Sequence, residues 1–204
     1  MPFKSIKASL SKDRKVAAVL KLLEEKQKPN VTGVNFSGLD LRGYSFKGVT
    51  LVKCNFQDTS LAGVDLSGAF LSESDMSGAQ LMQANFSEAT LAKVNLRHAD
   101  LTEANLSRAN LQEADLFGAV LIQASLGNAN LKLANLEGAY LVDASLSFAN
   151  LQEANLQTAD LRLAVLVGTN FVNADLRQAN LEGATYTRAQ FTGAKLDGIR
   201  GYFI

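Results

Sequence analysis

The chain has 204 residues, with 20 Lys+Arg against 20 Asp+Glu and 47% hydrophobic residues. That balance excludes the strongly basic domain of a duplex binder and the polar, highly charged composition of a disordered chain. A single Cys and a single His exclude an internal disulfide and a cysteine-cluster metal site.

Residues 1–30 form a first segment. Ser11 is the expected N-cap of a helix, and Asp13 suits its first turn. Val16, Val19, Leu20 and Leu23 recur at helical spacing on one face, and Pro29 is the expected stop. The segment carries eight basic and three acidic residues, a net +5. The expected role is a capping helix over whatever follows. A basic amphipathic helix could also meet an acidic partner or a membrane surface, although no membrane partner is expected. The charges at Ser11–Lys15 interrupt any leader-like apolar run, and no stretch nears the ~20 apolar residues of a spanning helix. The expected location is cytoplasmic.

Residues 31–204 follow a different rule. From Phe36 every fifth residue to Leu196 is large and apolar: Leu41, Phe46, Leu51 and so on through Leu166, Phe171, Tyr186 and Phe191. Two residues earlier runs a small register, mostly Ala after Ala69. Between the two lies Asn, Asp, Ser or Thr in most repeats, as at Asn95, Asp100 and Asn105. A period of five fits neither helix nor strand. It requires a backbone that turns after every five residues and returns in phase. A right-angled coil with four five-residue sides does this, with twenty residues per circuit and stacked circuits ~4.8 Å apart. The large residue and the Ala then point inward. Twelve of the 15 Gly stand two residues after the large centre, where a corner with positive φ costs Gly least. Corners with Glu, Gln, Lys or Arg there, which dominate Glu73 to Glu113 and Gln123 to Leu133, are expected to use another turn type, so that turn types are mixed by region.

The Ala-(Asp/Asn)-Leu-x-x pattern closely resembles that of the pentapeptide-repeat family, over Val34 to about Ile199. The resemblance implies an all-β solenoid: a right-handed quadrilateral β-helix, here of about eight coils. The residues themselves lead to the expectation of a non-enzymatic protein without cofactors.

The residues offer little chemistry. His98 lies at an outward corner and Cys54 in the small inward register, so the two cannot share a catalytic pocket. No phosphate-binding Gly loop occurs. The column Lys53, Glu73, Lys93, Glu113 reads as a charge ladder. The repeat region holds 17 acids and 12 bases, a net −5, concentrated on two adjacent faces. Outward apolar residues are rarer. Phe117, Val120 and Ile122 share one coil, Tyr140 and Val142 stack on Val120 and Ile122, and Met82 and Leu163 share their face. Clustered exposed apolars mark contact surfaces, so these seven form the candidate protein-contact patch. Tyr202, Phe203 and Ile204 are a candidate end contact, folded over the last coil or meeting a second copy in a homodimer.

The expected function is a protein-binding or regulatory scaffold whose partner is an unidentified protein, with no direct nucleic-acid binding. The resemblance implies one alternative, a DNA mimic that binds a type II topoisomerase such as gyrase. A purely structural rod is the other.

Overall fold

The computed structural model describes residues 14–201, and each fifth residue of the repeat region is followed by a two-residue turn. Parallel bridges join residues twenty apart without a break, from Asn35↔Asn55 to Asn180↔Arg200. One circuit therefore takes twenty residues, with four sides and four corners. Only the first side is long enough to count as strand: β1 (Asn30–Thr32) pairs in parallel with β2 (Thr50–Val52).

Backbone polar groups account for the period. Around Leu96, Asn95 N–H donates to Ser74 in the coil before (3.0 Å), while Leu96 and His98 N–H donate to Asp115 and Phe117 in the coil after (2.7 and 3.0 Å). Ala99 N–H closes the corner onto the Leu96 carbonyl (3.1 Å). Four of each five N–H groups are thus satisfied by backbone, the general requirement of a folded chain.

The corners correct the expected mixture of turn types. Every corner residue from Gly38 to Gly198 has positive φ, whether Gly or not, including Lys53, Glu73, Lys93, His98, Glu113, Leu133 and Thr158. With the closing bond from the fourth residue to the first, present at every corner from Gly38 to Gly198 but the Leu51–Cys54 one, this is the type II signature. Strain at a non-Gly corner, about 1–2 kcal/mol, is overridden because both flanking residues are held in ladders above and below. Corner side chains lean onto the next coil. A Cβ on Gly118 would collide with the His98 ring, and one on Gly168 with the Phe148 ring.

The interior is a stack of centres and small residues. Leu41 through Leu181 are buried at every centre. Phe36 stacks on Phe56 (centroids 4.8 Å) near one end, and Phe171 stacks on Phe191 (5.0 Å) near the other. Polar residues in the small register return their hydroxyls to carbonyls, Thr59 to Phe36 and Thr169 to Leu146. Ser74 enters a corner: it donates to the Leu51 carbonyl (2.7 Å) and accepts from Cys54 N–H (2.9 Å), in place of the usual closing bond.

Helix α1 spans Arg14–Glu24, and its Val16, Val19, Leu20 and Leu23 are buried in the same core as the coils. The expected N-cap, Ser11, and Asp13 lie outside the described residues. The helix stops before Pro29. Lys26 takes positive φ, its N–H donates to Leu23 and that of Gln27 to Leu22 (2.9 Å each), which is a Schellman ending. Pro29 instead opens the first coil, its carbonyl accepting from Thr50 N–H. The apolar face of α1 is spent on the core. Among the described residues no helix is long and apolar enough to cross a membrane.

A candidate protein-contact face

The fifth N–H of each repeat, on the residue after the centre, has no backbone acceptor, and this explains the Asn/Asp register. Each Asn or Asp from Asn35 to Asn180 in that register accepts this N–H on its own Oδ1, as Asp100 does from Thr102 (3.0 Å) and Asp160 from Arg162 (3.2 Å). The same residues couple the coils: Asn130, Asn150 and Asn170 each donate Nδ2 to the Oδ1 of the Asn one coil before (3.1–3.3 Å). The register is therefore a hydrogen-bonding device and not merely a solvated surface.

Four positions in that register hold bulky apolar or aromatic side chains instead: Phe70, Val120, Tyr140 and Val165. Val120 bridges Tyr140 directly. Neither side chain caps the following N–H, and the N–H groups of Ile122 and Val142 find no acceptor among the described residues. Replacing a cap forfeits a hydrogen bond of about 1 kcal/mol and places apolar surface outside. Tyr140 is 50% exposed.

The candidate patch is placed as follows. Val120, Ile122, Tyr140 and Val142 form a two-by-two block on one side of the coil, with the Val and Ile members half-buried. Met82 (40% exposed) and Leu163 (58%) lie on the same side beyond either end. Shallow hollows flank the block. One of about 300 Å³ is lined by Met82, Gln83, Thr102 and Glu103 among others. The other, of about 400 Å³, is lined by Val142, Arg162, Leu163, Glu182 and Gly183. Phe117 is not brought to the block. It stands on the adjacent side, its ring edge-on to His98 (5.5 Å) and beneath the Arg97 guanidinium (4.3 Å).

Sequence reading missed an extension of this surface. Leu163 sits on a corner, and the next side carries Val165, Val167 and Phe148, the last 61% exposed and lying against Gly168. The signal available was a Val in the Asn/Asp register. Tyr202, Phe203 and Ile204 lie outside the described residues.

The charged columns are paired locally. Lys53 meets Glu73 (3.5 Å) and Lys93 meets Glu113 (3.4 Å), as separate pairs and not one ladder. On the acidic sides Arg42, Arg162 and Arg177 grip Asp40, Asp160 and Asp175 two residues before them (2.7, 2.7 and 2.6 Å), and Arg97 reaches Asp115 (2.9 Å). Each guanidinium hydrogen bond holds its partner Asp40, Asp160 or Asp175 below the usual carboxylate range. These pairs break up the rows of bare carboxylates that imitating a duplex would need. Three lysines, Lys26, Lys28 and Lys47, line a hollow of about 320 Å³ beside the end of α1.

His98 is outward and Cys54 is buried, with the thiol pushed up by burial. Among the described residues no three metal-binding side chains gather.

The family model for pentapeptide repeats matches residues 45–78, 79–116, 114–147 and 144–183, eight copies in all. Among solved structures, HetL, a pentapeptide repeat protein involved in heterocyst differentiation regulation from the cyanobacterium Nostoc sp. strain PCC 7120, is 31% identical. The match covers 90% of this chain and 95% of HetL, with a TM-score of 0.55. Full-length QnrB1, a plasmid-mediated fluoroquinolone resistance protein, is 19% identical over 84% of this chain and 93% of its own, with a TM-score of 0.44. A pentapeptide repeat protein of the Arabidopsis thaliana thylakoid lumen is 36% identical over 52% of this chain and 70% of its own, with a TM-score of 0.37. No curated protein matches.

Proposed function

The chain belongs to the pentapeptide-repeat family, whose members fold as right-handed quadrilateral β-helices, and from that premise we propose that it is a non-enzymatic, regulatory protein-binding rod. The rod has about eight coils, roughly 40 Å at strand spacing, with α1 closing its first coil. Its partner is a protein that docks on the side carrying Val120, Ile122, Tyr140 and Val142.

The observation that carries this reading is the loss of the turn cap. A repeat that gains about 1 kcal/mol from Asn or Asp gives it up at two stacked positions and exposes apolar side chains there. Departures from a fold's own rule concentrate at functional sites. The likeness to HetL, whose described role is regulatory, points the same way. The guanidinium groups of Arg42, Arg97, Arg162 and Arg177, which interrupt the acidic sides, support a protein contact over imitation of a duplex.

Affinity capture from the native cell tests it. The bait is the wild type, the pair Ile122→Asp with Val142→Asp, or a control pair on the opposite side, Gln112→Asp with Gln152→Asp. Melting curves check that each variant folds. At least one partner should be lost by the first pair and kept by the second. An identical partner set for all three baits overturns the assignment.

A further inference from the structure

The contact face has a charge pattern as well as an apolar centre, and the pattern specifies the partner. In the column through Val120 and Tyr140, the residue one coil before is Asp100 and the one after is Asp160. In the corner column beside it, Glu103 and Asp143 flank Gln123. Glu182 closes the far hollow. Five carboxylates thus surround the block against two cations, Arg162, already spent on Asp160 (2.7 Å), and Arg200 further along that column, whose charge also acts on Asp160. Asp100, Glu103, Asp143 and Glu182 form no ion pair among the described residues; Glu103 and Asp143 accept only side-chain amides, from Gln83 (2.8 Å) and Gln123 (3.1 Å).

The backbone of this side is closed to strand addition. Its ladder bonds run to the coils before and after, and the groups they leave over are the corner carbonyls and the N–H of Ala62, Met82, Ile122 and Val142, which do not alternate along one strand as an open edge would. A partner is therefore read by side chains. Resting on the protein-contact reading above, we propose that the face receives an amphipathic helix of a partner protein, with bulky apolar side chains at its centre and Lys or Arg towards both ends. Asp100 and Asp160 lie three coils apart, about 14 Å. An α-helix covers that distance in nine or ten residues, which sets the spacing between the two basic ends. Such a helix lies along the rod, its apolar stripe on Ile122 and Val142 and one large side chain in the hollow beside Leu163. Complementary charge of this kind fixes register and speeds association more than it adds affinity.

Display of random 16-residue peptides tests this on the full chain, with counter-selection on the Ile122→Asp, Val142→Asp variant. Enriched peptides should carry Leu, Ile, Met or Phe at helical spacing, with Lys or Arg about nine residues apart. The best of them, made synthetically, should bind at least tenfold more weakly to the pair Glu103→Lys with Asp143→Lys. A synthetic peptide of residues 1–13 of this chain should not compete with it. Acidic or uncharged flanks, binding indifferent to the Lys variants, no patch-dependent enrichment, or effective competition by the 1–13 peptide would each overturn the proposal. If cellular partners still depend on Ile122 and Val142 while the peptides lack basic ends, the contact face stands and only the partner chemistry falls.

Discussion

Each residue of the five-residue repeat has a separate physical task. The centre fills the interior, the Ala lets two sides approach, and the Asn or Asp caps the one N–H that the ladder leaves over. The corner residue bears the left-handed conformation. Thr158 bears it least comfortably, since a β-branched residue at φ 57 crowds its own backbone. Thr158→Gly should therefore stabilise the protein. Relief of about 1–2 kcal/mol of strain exceeds the about 0.4–1 kcal/mol lost through a more flexible unfolded chain. A raised midpoint in urea denaturation with an unchanged slope is the expected outcome, and a lowered midpoint would show that the corner is unstrained. Centres and small residues were legible because volume alone fixes them. The cap was not, because Asn and Asp also suit any solvated surface. Only the hydrogen bonds reveal why Val120 and Tyr140 are exceptions.

At the scale of one side of a coil, the recurring unit is the carboxylate–guanidinium pair spaced two residues apart. Asp160 caps Arg162 N–H and holds its guanidinium with the same carboxylate. The lowered carboxyl values at Asp40, Asp160 and Asp175 mean that the folded state binds these protons less readily than the unfolded one. Their stabilisation is complete above the unfolded carboxylate value, about 4, and is lost as pH falls through the lower folded values. The melting temperature should therefore hold level from pH 8 to pH 5 and drop below about pH 4. Asp160→Asn keeps the cap oxygen while removing the charge, so it should shallow the acid drop and leave the fold intact. An equally steep drop in that variant would place the acid sensitivity elsewhere. Helix α1 shows the other limit of reading elements from sequence. Its buried face was plain from the spacing of Val16, Val19, Leu20 and Leu23, whereas its ending was not. Pro29 is a strong stop signal, but the Schellman bonds at Lys26 act first.

Over the whole molecule, the zero net charge separates into a basic first segment and an acidic repeat region, and pairing on its own sides neutralises only part of the acidic region. What remains distinctive is the one side where bulky apolar or aromatic residues replace the cap in two adjacent coils, at Val120 and Tyr140. The period of five told where every side chain points, so Met82, Ile122, Val142 and Leu163 could be assigned to one side without coordinates. It could not tell that Phe117 is covered by Arg97 and His98, or that Val165, Val167 and Phe148 continue the apolar surface around a corner. Those depend on how corner side chains lean onto the following coil. The most direct measurement is amide hydrogen exchange, residue by residue, on the free protein and on its complex with the captured partner. In the free protein the N–H groups of Ile122 and Val142 should exchange quickly, while those of Thr102 and Arg162, capped by Asp100 and Asp160, exchange slowly. In the complex Ile122 and Val142 should become protected and Gln112 and Lys132, on the opposite side, should not change. Protection confined to that opposite side, or none at Ile122 and Val142, would contradict the account.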